Sequence, residues 1–250
     1  MTTSHGDRLH CVAKSLFLSA TLLGCVTLAT PVALALQYQR VPIDQPRVII
    51  GARGPIIPGD YQRLRVFLDT MLDTMPSTDR IIGIALDSPG GNVLEADDIA
   101  VAVRRMKLPV IVTNGSECSS ACFLIFAAAS HRYVGVDALI GVHSAEENGK
   151  ETAGSMALTT AMAREAAEFG VPAAIIGKLV QTPPERATWL TPSDLASMGA
   201  TVIDPANSSP PPQYAPPSVC VHQIEMSLFL PFRNVTVVGG GRWAGAKPPA

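Results

Sequence analysis

"RIIGIALDSPGGN", Arg80–Asn92, decides the fold. From Arg80 to Leu86 the stretch is almost wholly apolar, as a strand covered on both faces should be. Asp87-Ser88-Pro89-Gly90-Gly91 then breaks it, with proline and paired glycines making a turn. Working outward, Asn92–Met106 has helical spacing and ends in basic residues that suit a helix C-terminus. Pro109–Thr113, "PVIVT", is the next strand, and "NGSECSSACFLIFAAAS" is a turn followed by a helix. Upstream, Arg47–Ala52 reads as a strand and Tyr61–Met71 as an amphipathic helix. Downstream come short strands at Tyr133–Val136 and Leu139–His143, then helices over Thr152–Phe169 and Pro172–Val180. A last helix is capped by Thr191 and Asp194 and stopped by Gly199, and "ATVID" closes as a strand. Strands alternating with helices predict an α/β domain with a largely parallel sheet.

The ends differ from this body. Arg8 and Lys14 precede the apolar run "SLFLSATLLGCVTLATPVALA", which closes on Ala33-Leu34-Ala35. That is the layout of an export signal over residues 1–35, with an uncleaved membrane anchor as the alternative. The protein is thus expected to be exported, either periplasmic or anchored facing the periplasm. Membrane contact follows only if the segment stays on. The domain spans 36–204, a Pro-rich linker 205–218, and a tail of unassigned role 219–250. A formal net charge of -2 gives no footprint for nucleic acid.

Two turns at strand ends carry candidate chemistry, because sites in open α/β sheets form where strands finish and helices begin. One is "DSPGG"; the other is "ECSSAC". A serine there sits among unpaired backbone N–H groups able to steady a developing oxyanion. It also needs a base. His131 lies in a polar "SHR" turn and His222 lies beyond the linker, which leaves His143 at the end of its strand. The competing reading is structural: a serine that only caps a helix, and a histidine that only ends a strand. Cys118 and Cys122 flank Ser120 at two residues on either side. In an oxidising compartment they either pair or pack as small buried hydrophobes. No Cys/His set has zinc spacing, so no metal is expected. Asp97 and Asp98 read as a solvated helix face, and Trp189 and Leu190 as core.

"LDSPGGNVLEADDIA", "CSSACFLIFAAASHRYV" and "IGVHSA", in that order and spacing, resemble the Clp-type proteases of the ClpP/crotonase superfamily. They are most similar to exported bacterial members with a Cys-x-Ser-Ala-Cys motif, and the resemblance covers about Val48–Asp204. It implies repeated β-β-α units around a largely parallel central sheet. It also implies a serine peptidase: Ser120 as nucleophile, with Ser119 as rival, His143 as base, and the N–H groups of Gly91 and Ala121 as oxyanion hole. The substrate would be a peptide or protein, with no cofactor. Relatives form rings, so the resemblance points to a homo-oligomer as well. The family's third triad member, an aspartate two positions before an aromatic-Leu-Ser/Thr segment, falls on Ala187. Glu185, two residues away, is a weak substitute. A protein that keeps the fold but has lost catalysis, serving as a binding module or scaffold, is therefore the alternative. An acyl-CoA enzyme of the crotonase branch fits less well, since an exported chain has no CoA pool.

Overall fold

The computed structural model describes residues 35–204. The signal or anchor run, the Pro-rich linker, the tail, Cys11, Cys25, Cys220 and His222 lie outside the described residues. The elements follow in the order β1 (Gln37–Asp44), β2 (Arg47–Arg53), α1 (Asp60–Thr74), β3 (Arg80–Asp87), α2 (Val93–Arg105), β4 (Val110–Val112), β5 (Glu117–Ser119) and α3 (Cys122–Ala127). Then come β6 (Arg132–Gly135), β7 (Leu139–Val142), α4 (Ala153–Glu168), α5 (Ala173–Gln181), β8 (Thr188–Trp189), α6 (Pro192–Ser197) and β9 (Ala200–Ile203).

Six strands form one sheet in the order β1-β2-β3-β4-β6-β9. All its pairings are parallel except β1 with β2. The fold is thus α/β with a mostly parallel sheet, and β3 runs inside it with Ile84 and Leu86 buried. β5, β7 and β8 form a second, smaller sheet, in which β5 and β7 are parallel. In β4-β5-α3 and β6-β7-α4, the first strand of each unit joins the large sheet and the second joins the small one. This is the β-β-α repeat. It carries the chain from the large sheet to the small one just before Ser120 and again just before His143.

α3 is apolar all round and every one of its six residues is buried, as such a helix requires. Phe123 and Phe126 are among the largest fully buried side chains. Its C-terminal end is held by Arg132, whose guanidinium donates to the carbonyls of Ala127 and Met198. Two of the longer helices, α2 and α4, begin on side-chain caps. Asn92 Oδ1 accepts from Glu95 N–H at the start of α2, and Thr152 with Ser155 makes a capping box on α4. The start of α6 is doubly fixed, by the Thr191/Asp194 box and by Lys178 Nζ, 2.5 Å from Asp194.

Candidate active site

The site begins with the turn after β3, which is held on both sides. On one side Ser88 N–H donates to Glu117 O (2.7 Å) and Ser119 N–H donates to Ser88 O (3.1 Å), fastening the turn to β5. On the other, Ile56 N–H donates to Gly90 O and Asn92 N–H to Ile56 O, both 2.8 Å. With both neighbours bonded to Ile56, the Gly91 N–H faces the opposite way, and it finds no acceptor among the described residues. Only glycine fits here. Gly90 and Gly91 have φ of 90° and 137°, and a Cβ on Gly91 would lie 2.2 Å from Ile56 O. A Cβ on Gly90 would lie 2.7 Å from Cβ of Ser120 and 2.9 Å from Ala121 N, so the glycine turn and the serine turn are in direct contact.

The serine turn is itself unusual. Ser120 has φ of 56°, a left-handed conformation that costs a non-glycine residue roughly 1–2 kcal/mol. It stands between the end of β5 and the start of α3, and so precedes the helix. Its N–H donates to Gly141 O (3.1 Å), extending the β5–β7 pairing one residue past the strand. That bond sets Ser120 beside the end of β7, where His143 follows Val142. The hydroxyl of Ser120 makes no hydrogen bond among the described residues, and neither does the N–H of Ala121. Ser119 differs on each count. It is buried, and its Oγ lies 3.1 Å from Pro89 O and 3.0 Å from Glu117 Oε1. Its one proton is already committed between two acceptors, and it ties the glycine turn to β5.

Cys118 and Cys122 are joined by a disulfide with a Cα–Cα separation of 5.2 Å, and both are fully buried. The two readings open in the sequence therefore hold together: the pair is bonded and it packs in the core.

His143 is half-buried, and its Nδ1 lies 2.7 Å from Ser144 O. A carbonyl only accepts, so this contact makes Nδ1 the protonated nitrogen and leaves Nε2 as an acceptor. Ser144 is itself fixed: its N–H donates to Thr182 O (2.8 Å) and its hydroxyl to Glu151 Oε1 (2.9 Å). No hydrogen bond joins Ser120 Oγ to the His143 ring in this structure. Glu185 is exposed in the turn before β8 and makes no hydrogen bond or ion pair among the described residues, and the Nδ1 of His143 is taken by Ser144 O. The pairing Val142↔Thr188 puts Ala187 in register with His143, so the position facing the ring carries a methyl group.

Two other residues depart from the sequence reading. Trp189 is 42% exposed, and a Cβ on Gly141 would lie 2.6 Å from its ring, so the indole covers Gly141 next to Ser119. Leu190 alone takes the core position. Asp97 is half-buried on α2, and its carboxyl is pushed up to about 6, first by burial and then by the nearby charge of Glu165. Glu151 was invisible as a site residue because nothing in the sequence links it to the backbone around His143. A cavity of about 510 Å³ opens beside the glycine turn, lined by Arg53, Asp87, Pro89, Glu117, Asp137 and Leu139. Among the described residues no group of three or more His, Cys, Asp or Glu could hold a metal ion, and no helix is long and apolar enough to cross a membrane.

Residues 66–171, somewhat less than half of the chain, match the Clp protease family model. The matched segment contains Gly91, Ser120 and His143. No curated protein matches the chain in sequence. Among solved structures it is similar to ClpP1 from Listeria monocytogenes, at 22% identity over 64% of this chain and 91% of that one, TM-score 0.46. It is also similar to a mutant of the 1510-N membrane-bound stomatin-specific protease, at 20% identity over 61% of this chain and 76% of that one, TM-score 0.45. A second mutant of that protease, in complex with a substrate peptide, is 21% identical over 61% of this chain and 72% of that one, TM-score 0.45.

Proposed function

We propose that this Clp-protease-like domain is an exported serine hydrolase that acts on peptide or protein substrates. Ser120 is the nucleophile, His143 the base, and the N–H groups of Gly91 and Ala121 the oxyanion hole. The observation that carries the reading is the meeting of the two turns. A left-handed serine with an unbonded hydroxyl touches a glycine turn, and a backbone N–H from each turn has no acceptor among the described residues. Such donors act on the charge that develops as Ser120 Oγ adds to the carbonyl. The Nδ1 contact with Ser144 O leaves Nε2 of His143 as the atom that takes the serine proton. The same nitrogen returns that proton to the leaving amine, and water then releases the acyl group from Ser120 by the reverse route.

With Ala187 facing the base, the catalytic pair is a Ser-His dyad in which a backbone carbonyl orients the ring. A carbonyl fixes the tautomer as a carboxylate would, but it stabilises the imidazolium less. Slow turnover is the expected consequence. The export part of the reading rests on residues 1–35, and the buried disulfide beside the nucleophile is the chemistry expected of an oxidising compartment.

The second reading, a binding or scaffold protein, draws support from Ala187 and from the missing Ser120–His143 hydrogen bond. The two separate on turnover of unfolded peptide substrates by the full chain, with Ser120→Ala and His143→Gln as controls. A hydrolase loses activity by at least about 10³-fold in each variant. Product formation equal to that of the wild type in Ser120→Ala would reject the proposal.

A further inference from the structure

We propose that the Cys118–Cys122 disulfide is the positioning device for Ser120, so that the hydrolase reaches its full rate only with this bridge intact. The inference rests on the reading of Ser120 as nucleophile and adds what holds that serine in place. The bridge links the middle residue of β5 to the first residue of α3 and encloses only Ser119, Ser120 and Ala121. Ser120, at its centre, is the residue held in the left-handed region. A serine left to itself relaxes from that conformation, so the surrounding structure must over-determine it.

No side chain holds the start of α3. α2, α4 and α6 begin on the capping side chains of Asn92, Thr152 and Thr191, whereas α3, like α1 and α5, has no side-chain cap; it begins on Ala121. Two backbone hydrogen bonds restrain Ser120: its N–H to Gly141 O and its O from Phe123 N–H. The covalent link adds to these two bonds. It anchors both ends of the turn in the core, since Cys118 and Cys122 are each fully buried. Gly90 makes the placement exacting, because the Ser119 carbonyl and the Ala121 amide pack where a Gly90 Cβ would stand. Opening the bridge requires two electrons and two protons from a thiol or phosphine reductant and yields the two thiols. The turn is then free to leave the left-handed conformation, carrying the Ser120 hydroxyl and the Ala121 N–H away from each other.

The test uses the full chain with both cysteines replaced, Cys118→Ala/Cys122→Ala, and separately Cys118→Ser/Cys122→Ser, which nearly keeps their size but cannot form the bridge. Thermal unfolding, kcat and KM for a peptide substrate, the rate of acylation by a fluorophosphonate, and amide exchange over residues 119–122 are measured. Both variants are expected to melt cooperatively and to keep KM within about twofold. Acylation and kcat fall by about 10- to 100-fold, the scale of an ångström-sized misplacement, and amide exchange in the turn quickens. Acylation within twofold of the wild type, with unchanged exchange, would overturn the proposal. Recovery by the serine pair alone would also overturn it, by making the cysteines packing residues. Loss of the fold in both variants would overturn it as well, because the bridge would then support the whole domain. If the wild-type chain is not acylated at all, it is the nucleophile reading that fails, and amide exchange still decides what the bridge does.

Discussion

The serine side and the histidine side of the cleft are built to different standards. Ser120 sits in a turn closed by a disulfide, bonded to β7, and packed on a glycine turn that is itself fixed from two directions. His143 follows the last residue of its strand, is half-buried, and is oriented by a single contact to the carbonyl of its neighbour. One half is over-determined and the other lightly held. Electrostatic preorganisation at the oxyanion is commonly the largest catalytic contribution. On the proposed reading, a chain that lacks a carboxylate behind its base remains a slow enzyme, and loosening the serine side slows it further.

That contrast breaks most readily at Gly91. A methyl group there would stand 2.2 Å from Ile56 O on a backbone with φ of 137°. Gly91→Ala is expected to lower kcat by about 10²-fold or more, with KM much less affected, as loss of one oxyanion donor does. Steady-state kinetics on peptide substrates, with a melt to establish folding, measure it.

The histidine side offers the opposite experiment, a gain. Ala187 is in register with His143, and Ala187→Asp would set a carboxylate against the ring. It is expected to raise kcat on the order of tenfold, because the imidazolium formed during proton transfer gains a counter-charge. A fall in kcat would mean that the Ser144 carbonyl and an added carboxylate compete for the same nitrogen. Glu185→Gln, by contrast, is expected to leave kcat within about twofold, since Glu185 is exposed and makes no hydrogen bond or ion pair among the described residues.

The smallest effect lies away from the site, on the α2 face towards α4. Asp97 is pushed up to about 6 by burial, with Glu165, Asp98 and Glu168 adding to the rise and Arg164 opposing it. The fold favours its neutral form. That contribution is fully present below the unfolded carboxyl value near 4 and is lost as pH rises through about 6. Discounted for its half-exposed position, the effect is about 1 kcal/mol. Asp97→Asn should stabilise the chain by that amount at pH 7 and change little at pH 4, read from denaturant unfolding at the two pH values.

Much of this was legible in the sequence. Arg80–Leu86 could only be an interior strand, and the glycines, serines and His143 announced themselves by type and position at strand ends. Three strands were not visible. β5 spans Glu117–Ser119, too short for any periodicity to register, and its existence depends on pairing with β7. β8 is shorter still, and β1 is a largely exposed edge strand carrying Pro42. Trp189 was misplaced because a large aromatic beside a leucine looks like core, whereas Gly141 provides a shelf that leaves the indole half in solvent. The left-handed Ser120 had no signal at all, for nothing marks a serine as taking a glycine's conformation. Its cause is tertiary: the bond to Gly141, the approach of Gly90 and the bridge across it.

The most direct test of the central claim is covalent labelling of the full chain with a fluorophosphonate, followed by peptide mapping of the adduct. A nucleophile activated at the meeting of the two turns predicts a single adduct on Ser120, abolished in Ser120→Ala and strongly slowed in His143→Gln. An adduct on Ser119, or labelling unchanged in Ser120→Ala, would contradict it.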